Sequence, residues 1–372
     1  CFERIGSLHA FSPSCMLEII KARLNSANHT PAVRRVLGRL TVLGLTVLLL
    51  SYLEFRFVSV GVSKPDDAAK PSELVVERGY GLKQVIELAS PTAWSPSVLN
   101  WIWARLHLAS RSIKAGVYPL ERGLSLKRLL DRMAADQGKR LEWQVLEGQS
   151  LDQVRRSLSA LPYLRHESAA WSEEQLRTKL MERMPVPYKL GFLEGMLFPD
   201  KYRFVPGMSD LELLTQACQR QAKLLQAIWG QRPKDFPLSS PAELMVLASM
   251  IEKETGLAAD RSRVAAVFLN RLNLGMRLQS DPTVVFGLGA MEAKKLTRKD
   301  LQTDHPYNTY TRYGLPPTPI AIPSEASLLA AIRPSQESSL YFVARGDGSS
   351  EFSTTLAQHN NAVDRFIRKM KP

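Results

Sequence analysis

The chain has 372 residues, 45% of them hydrophobic and 23% charged. That balance excludes a disordered or collagen-like chain and leaves room for two or three domains with real cores. A formal net charge of +13 fits nucleic acid, an anionic membrane face or an acidic polymer such as a cell wall. The C-terminal half has no Lys/Arg stripe with interleaved aromatics and no nucleic-acid motif, so nucleic acid is not an expected partner. The three cysteines (Cys1, Cys15, Cys218) and six scattered histidines form no metal spacing, so neither metal nor cofactor is expected.

Residues 1–33 are irregular and mildly basic, and no fold is read there. Arg34, Arg35 and Arg39 then precede an uncharged run of 14 residues, Leu40 to Leu53. That is short of the roughly 20 that cross a bilayer core. It extends through Val36 and Leu37 if Arg39 snorkels, and through Phe55, Phe57 and Val58 around Glu54 and Arg56. A signal anchor, a cleaved signal peptide and a buried core helix compete. The absence of a small-x-small cleavage site disfavours the second, and the leading arginines place the N-terminus in the cytoplasm. The expected anchor is 36–60, after a cytoplasmic segment 1–35, and SKPDDAAKPS within 61–72 reads as a linker. Cys218 is then the single exported cysteine, which excludes an intramolecular disulfide there.

From Glu73 a small α+β region is expected. ELVVERG reads as a strand and turn, and LKQVIELA as a helix. A strand through Val117 to Leu120, a turn at Gly123 and a helix from Ser125 repeat the pattern, and LEWQVLEGQSLDQVRRSLSAL gives a third copy. Such units resemble a LysM-type carbohydrate-binding module; a generic βα packing domain is the alternative. Residues 161–236 read as mostly helical, around an island at 190–204 that crowds Glu194, Gly195, Pro199, Asp200 and Tyr202. That mix suits a groove-lining loop or a turn between helices.

Ser240 to Gly256 reads as one buried helix. Ser240 and Glu243 form an S-x-x-E capping box, Pro241 occupies the first turn and Gly256 is the stop. Leu244, Leu247, Ala248, Ile251 and Thr255 share a face, with Glu254 beside it and Glu252 near the opposite margin. Apolar neighbours and the negative end of the helix dipole both resist ionisation, and a carboxyl with a raised pKa suits a general acid. The plain alternative is two solvated glutamates at a helix end. Asp260 is expected to cap a second helix through Asn273, ended by Gly275. Gln279, Ser280 and Asp281 precede Pro282, where extended geometry is favoured. HPYNTYTRYGLPPTPIAIPS then offers Tyr307, Asn308, Tyr310 and Tyr313 ahead of a proline-rich run, which fits a sugar groove or a stiff surface loop. SSLYFVARGDGSSEFST reads as a hairpin, and a helix with His359 and Asn360 closes the fold.

Five segments, LEGMLFPDKY (193–202), ASMIEKETG (248–256), VFLNRLNLGMRLQSDPTVVFGLG (267–289), YNTYTRYGLPPTPIAIP (307–323) and LYFVARGDG (340–348), together resemble the MltG/YceG-like endolytic murein transglycosylases. The resemblance covers about residues 73–366. It implies an α+β chain with a single N-terminal membrane anchor, a LysM-like subdomain at 73–156 and a mixed helical/β catalytic domain at 157–372. The implied reaction is non-hydrolytic cleavage of the MurNAc–GlcNAc β-1,4 bond within peptidoglycan strands, leaving 1,6-anhydro ends. Glu254 would be the catalytic acid; the wheel alone leaves it open against Glu252. Gln279, Asp281, Tyr307 and Asn308 would position the sugars, with Glu194 and Asp200 as further candidates. The implied setting is a bacterial inner membrane with the catalytic part in the periplasm, and penicillin-binding synthases as partners. Ser280 stands where the family usually has Thr, and Thr318 and Ser324 where it usually has Gly, which bears on groove shape. A hydrolytic muramidase using Asp281 as second carboxylate and an inactive peptidoglycan-binding scaffold are the competing readings.

Overall fold

The computed structural model describes residues 31–58, 73–89, 97–121, 123–184, 190–289 and 296–368. The expected linker 61–72 and residues 1–30 lie outside them. The chain divides into two compact units, 1–139 and 140–372.

The first unit begins with α1, Pro31–Phe57. This helix is long and apolar enough to cross a membrane, with little of it buried against protein. Strand β1 (Glu73–Val76) pairs antiparallel with β2 (Gly116–Pro119), Glu73 opposite Pro119 and Val76 opposite Gly116. Between them lie α2 (Leu82–Ala89) and α3 (Ser97–Leu108). Helix α4 (Leu126–Ala134) follows, capped by the Ser125 hydroxyl as its sequence predicts. Leu74, Val76, Ile86, Leu129, Leu130 and Met133 form the core, closed on one side by Phe55 of α1. The sequence reading held no counterpart of α3: its apolar residues show no single stripe, because both of its faces carry them.

The second unit opens with the third strand–turn–helix copy, β3 (Leu141–Gln144) and α5 (Leu151–Ser159). Its strand pairs with β4 (Lys201–Phe204), which lies in the 190–204 island. Trp143 meets the Tyr202 ring at a 41° tilt, 5.5 Å between centroids, and donates to Ser157 Oγ at 3.1 Å. The remaining framework is helical: α6 (Glu173–Arg183), α7 (Asp210–Trp229), α8 (Pro241–Glu254) and α9 (Ala258–Asn273). Then come α10 (Asp281–Gly287), α11 (Arg298–Gln302) and α12 (Glu325–Ile332). The expected hairpin forms as β5 (Tyr341–Ala344) and β6 (Ser350–Ser353), and α13 (Leu356–Val363) closes the unit. The architecture is mixed α+β.

Helix α8 is the centre of this unit. Every residue from Leu244 to Ile251 is buried, because α7, α9, α10 and α12 surround it; the single apolar face of the wheel understates this. Its N-terminus differs slightly from a capping box. Ser240 accepts the Glu243 N–H, but the Glu243 carboxylate reaches back to Ser239 N–H and hydroxyl. Asp260 does not cap α9: Leu257 holds that position, and Asp260 is buried, accepting Ser350 N–H at 2.8 Å to tie the hairpin down.

Candidate active site

Glu252 and Glu254 occupy the last turn of α8 yet meet different surroundings. Glu252 Oε2 accepts Ser324 N–H (2.9 Å), Ser324 Oγ (2.5 Å) and Ser327 Oγ (2.6 Å). It therefore anchors the N-terminus of α12, where anionic oxygen and unpaired N–H groups suit one another. Its role is to join two helices of the core.

Glu254 is the final helical residue, since Thr255 turns to extended geometry (φ −147°, ψ 131°). It is partly buried. Burial pushes its carboxyl up from 4.5 to about 7; a hydrogen bond from Ser280 opposes that, the Asp281 charge adds to it, and Arg271 opposes it. Ser280 stands at the N-cap of α10, but its hydroxyl makes no cap bond and donates instead to Glu254 Oε1.

The loop carrying Ser280 is pinned from below. Gln279 N–H donates to Thr309 O (3.1 Å), and Ser280 N–H to Thr309 Oγ1 (2.9 Å). Thr283 Oγ1 bonds both Ser280 O (2.7 Å) and Thr309 Oγ1 (2.9 Å). Gln279 adopts left-handed φ (51°), not the extended geometry its place near Pro282 suggests, and Asp281 already begins α10. The strain holds the exposed Gln279 side chain at the surface beside Glu254's hydrogen-bond partner.

The predicted residues separate into two groups. Gln279 and Asp281 are exposed, and Asp281 Oδ1 accepts the Tyr310 phenol at 2.5 Å. Burial first, then Asp281, raises the Tyr310 pKa, so the phenol keeps its proton. Tyr307 is partly buried; its ring meets Phe286 edge-on at 5.0 Å and its hydroxyl pairs with Thr318 at 2.8 Å. Thr318 thus supplies a hydroxyl that fixes Tyr307. Asn308 is fully buried, donating to Leu301 O (3.0 Å) and Thr303 O (2.7 Å) and accepting Tyr310 N–H (2.9 Å). Its amide shapes the loop that bears the tyrosines. Gln279 and Asp281 flank Glu254's partner Ser280, and Thr309 and Tyr310 tie the tyrosine loop to that segment.

Glu194 and Asp200 belong to other networks. Glu194 is buried and accepts the Leu151 N–H with both oxygens (3.1 and 3.0 Å), receiving the first free N–H of α5. Burial raises its pKa to about 7 against the pull of those backbone bonds. Gly195 beside it has φ 76°, and a Cβ there would lie 2.9 Å from Pro319 Cβ. Asp200 is exposed, paired with Arg220 at 2.5 Å and accepting Lys201 N–H at 2.7 Å, with its pKa lowered first by that backbone bond and then by Arg220.

Two contributors lie outside the set of residues that the resemblance assigns to the site. Arg271 is buried in α9, its Nε donating to Leu340 O (2.6 Å) and its Nη1 to Leu278 O (2.7 Å). Its charge stabilises the ionised Glu254. The available signal is an arginine set between Leu269 and Leu272, on a helix whose buried residues from Val264 to Leu269 are apolar. Tyr310 was visible as one of several tyrosines, but only the fold sets it against Asp281. Among the described residues no group of His, Cys, Asp and Glu could hold a metal. Cys218 is a buried free thiol, pushed up to about 12 by burial.

A half-buried carboxyl with a raised pKa, one hydroxyl donor and a tyrosine-bearing loop are the groups an acid catalyst acting on a polar substrate would use. The YceG-like family model matches residues 74–365. An endolytic murein transglycosylase of Bacillus subtilis (strain 168) is 32% identical over 68% of this chain and 73% of its own length. A protein of the same name from Streptococcus pneumoniae is 29% identical over 68% of this chain, which spans about half (51%) of that relative. The crystal structure of a YceG-like protein from Listeria monocytogenes matches with TM-score 0.52 and 27% identity, over 78% of this chain and 99% of that one. The chain belongs to the YceG-like family.

Proposed function

We propose that the chain is an endolytic peptidoglycan lytic transglycosylase, a lyase that cuts the MurNAc–GlcNAc β-1,4 bond within glycan strands. The observation that carries this reading is Glu254: burial and the Ser280 loop leave a carboxyl raised to about 7, so that near neutral pH about half of the molecules carry a proton that can pass to a glycosidic oxygen. Glu254 protonates the leaving GlcNAc O4 as the C1–O4 bond breaks. The resulting carboxylate, stabilised by Ser280 and Arg271, then takes the proton of the muramoyl 6-hydroxyl, whose oxygen closes on C1 to give the 1,6-anhydro end. Atoms balance without water, and Glu254 recovers its proton. The 2-acetamido group can assist at C1, so no second protein carboxylate is needed.

Gln279, Asp281 and Tyr307 line the sugar path, and Asn308 holds the loop that presents them. Glu194 and Asp200 act at a remove, through α5 and the β3–β4 pair. Residues 36–60 anchor the chain in the bacterial inner membrane, the region expected at 73–156 as a LysM-like glycan-binding subdomain yields its third strand–turn–helix copy to the catalytic domain, and that domain, beginning near residue 140, lies in the periplasm. The net charge of +13 suits a polymer bearing peptide carboxylates. Cleavage at nascent strands would make penicillin-binding synthases the natural partners.

Mass spectrometry of glycan digested by the purified chain tests the reaction. Anhydro-muramoyl termini that vanish in Glu254→Gln are expected. Products one water heavier would identify a hydrolase and bring Asp281 forward as its base; folded protein that binds glycan without cutting it would leave only a scaffold.

A further inference from the structure

Helix α3 carries apolar residues on two faces. Asn100, Ala104 and Leu108 turn into the first unit, while Val98, Trp101, Ile102, Arg105 and Leu106 are exposed. The exposed set has the i, i+3, i+4, i+7, i+8 spacing of a buried stripe. It includes Val98 at 57% and Leu106 at 56% exposure, and a patch of this kind marks an interaction surface.

Its neighbour says what covers it. Ser51 Oγ of α1 accepts Trp103 Nε1–H at 3.0 Å, Tyr52 meets Trp103 edge-on at 5.1 Å, and Phe55 meets His107 at 6.0 Å. Contact between α1 and α3 is thus made by the last two turns of the apolar helix. Arg39 and Arg56 bracket α1 about 26 Å apart along the axis, close to the thickness of a bilayer core. When α1 spans, Ser51 to Phe55 reach its outer boundary, and whatever packs on them sits at headgroup depth.

We propose that α3 lies in the interfacial layer of the membrane that α1 crosses, with Val98, Trp101, Ile102 and Leu106 in lipid and Arg105 among anionic headgroups. The proposal rests on the anchor reading above. Tryptophan and a snorkelling arginine on one exposed stripe are the residues this layer favours. Interfacial seating would fix the first unit against the bilayer at two places, where a bare anchor leaves it free to swivel.

The test uses the full chain in vesicles of phosphatidylethanolamine and phosphatidylglycerol. Cys1 and Cys15 are replaced by Ser, and the buried Cys218 is left in place. A bimane fluorophore is put on Leu43→Cys in α1, Ile102→Cys in α3 or Lys83→Cys in α2, the exposed control. Shallow nitroxide lipids are expected to quench Ile102→Cys several-fold more than Lys83→Cys, and deep ones to quench Leu43→Cys most. Quenching at Leu43 with Ile102 no different from Lys83 overturns the interfacial seat but keeps the anchor; self-crosslinking of Ile102→Cys in that case identifies a second copy as the cover. Absence of quenching at Leu43 removes the anchor itself. Quenching at Ile102 alone leaves α3 as a surface attachment without a span.

Discussion

Two glutamates two positions apart in the last turn of α8 reach opposite fates because they leave the helix about 200° apart. Glu252 is held by three donors at the start of α12, whereas Glu254 receives one hydroxyl and an enclosing wall. Glu254→Gln should therefore lower kcat by at least about 10²-fold, the usual worth of a general acid, while Glu252→Gln keeps kcat in whatever protein remains folded. Rates on purified glycan strands decide this; similar rates for Glu254→Gln and wild type would remove the acid role. The raised pKa also gives a stability sign. The native carboxyl holds its proton up to about 7, whereas the unfolded one releases it near 4.5. Its stabilising share is present in full below 4.5 and lost as pH rises through 7. Glu254→Gln removes that loss, so at pH 8 the variant should be the more stable protein, by on the order of 2 kcal/mol, with the gap closing toward pH 5. Denaturant midpoints at the two pH values measure it. Ser280→Ala deletes a donor to the ionised form. It should shift the alkaline limb of kcat/KM upward, not downward, which a pH–rate profile reads directly.

At the scale of elements, the joints matter more than the helices themselves. Helix α12 starts where Glu252 meets Ser324 and Ser327, and α8 ends there. Glu252→Gln should cost about 1–3 kcal/mol through this joint, the worth of a hydrogen bond to a charged group, and thermal unfolding at pH 7 would show it as a lower Tm. Gly287, at the end of α10, is a second joint: a Cβ there would lie 2.2 Å from His305 Cε1 and 2.8 Å from Tyr307 Cβ. Gly287→Ala must displace the tyrosine loop, so KM for glycan should rise; an unchanged KM would mean that Tyr307 does not contact the sugar. Much of this level is legible from sequence. Helix starts at Ser125, Ser150 and Ser240 follow from short polar caps before apolar runs, and the hairpin at 341–353 from its Gly-Asp-Gly turn. What escapes is non-local. Nothing near Asp260 says that its carboxylate will meet Ser350, and nothing near Ser280 says that its N–H will be taken up by the Thr309 hydroxyl. The same holds for the choice between Glu252 and Glu254, which depends on residues 26 to 75 positions away.

At the scale of the whole chain, the third strand–turn–helix copy decides where the catalytic unit begins. By sequence pattern β3 and α5 continue the two copies before them, which places a boundary after residue 156. By pairing, β3 joins β4, and the compact units part at 139/140. Glu194 gives the difference energetic content. It is buried, and both of its oxygens take the Leu151 N–H. A chain that starts at 157 keeps Glu194 and β4 but loses every backbone partner of that strand, the Leu151 donor and the buried Trp143. A buried carboxyl left with only the Gly195 N–H and an unpaired strand are each destabilising by a few kcal/mol, enough together to offset most of a domain's stability. Residues 140–372 should therefore unfold in one cooperative transition and retain glycan cleavage, whereas 157–372 should be aggregated or molten at 25 °C. Near-UV circular dichroism and chemical denaturation of the two fragments separate the cases. A cooperative, active 157–372 fragment would show that the third copy belongs with the first two, and that its pairing with β4 is dispensable for the site.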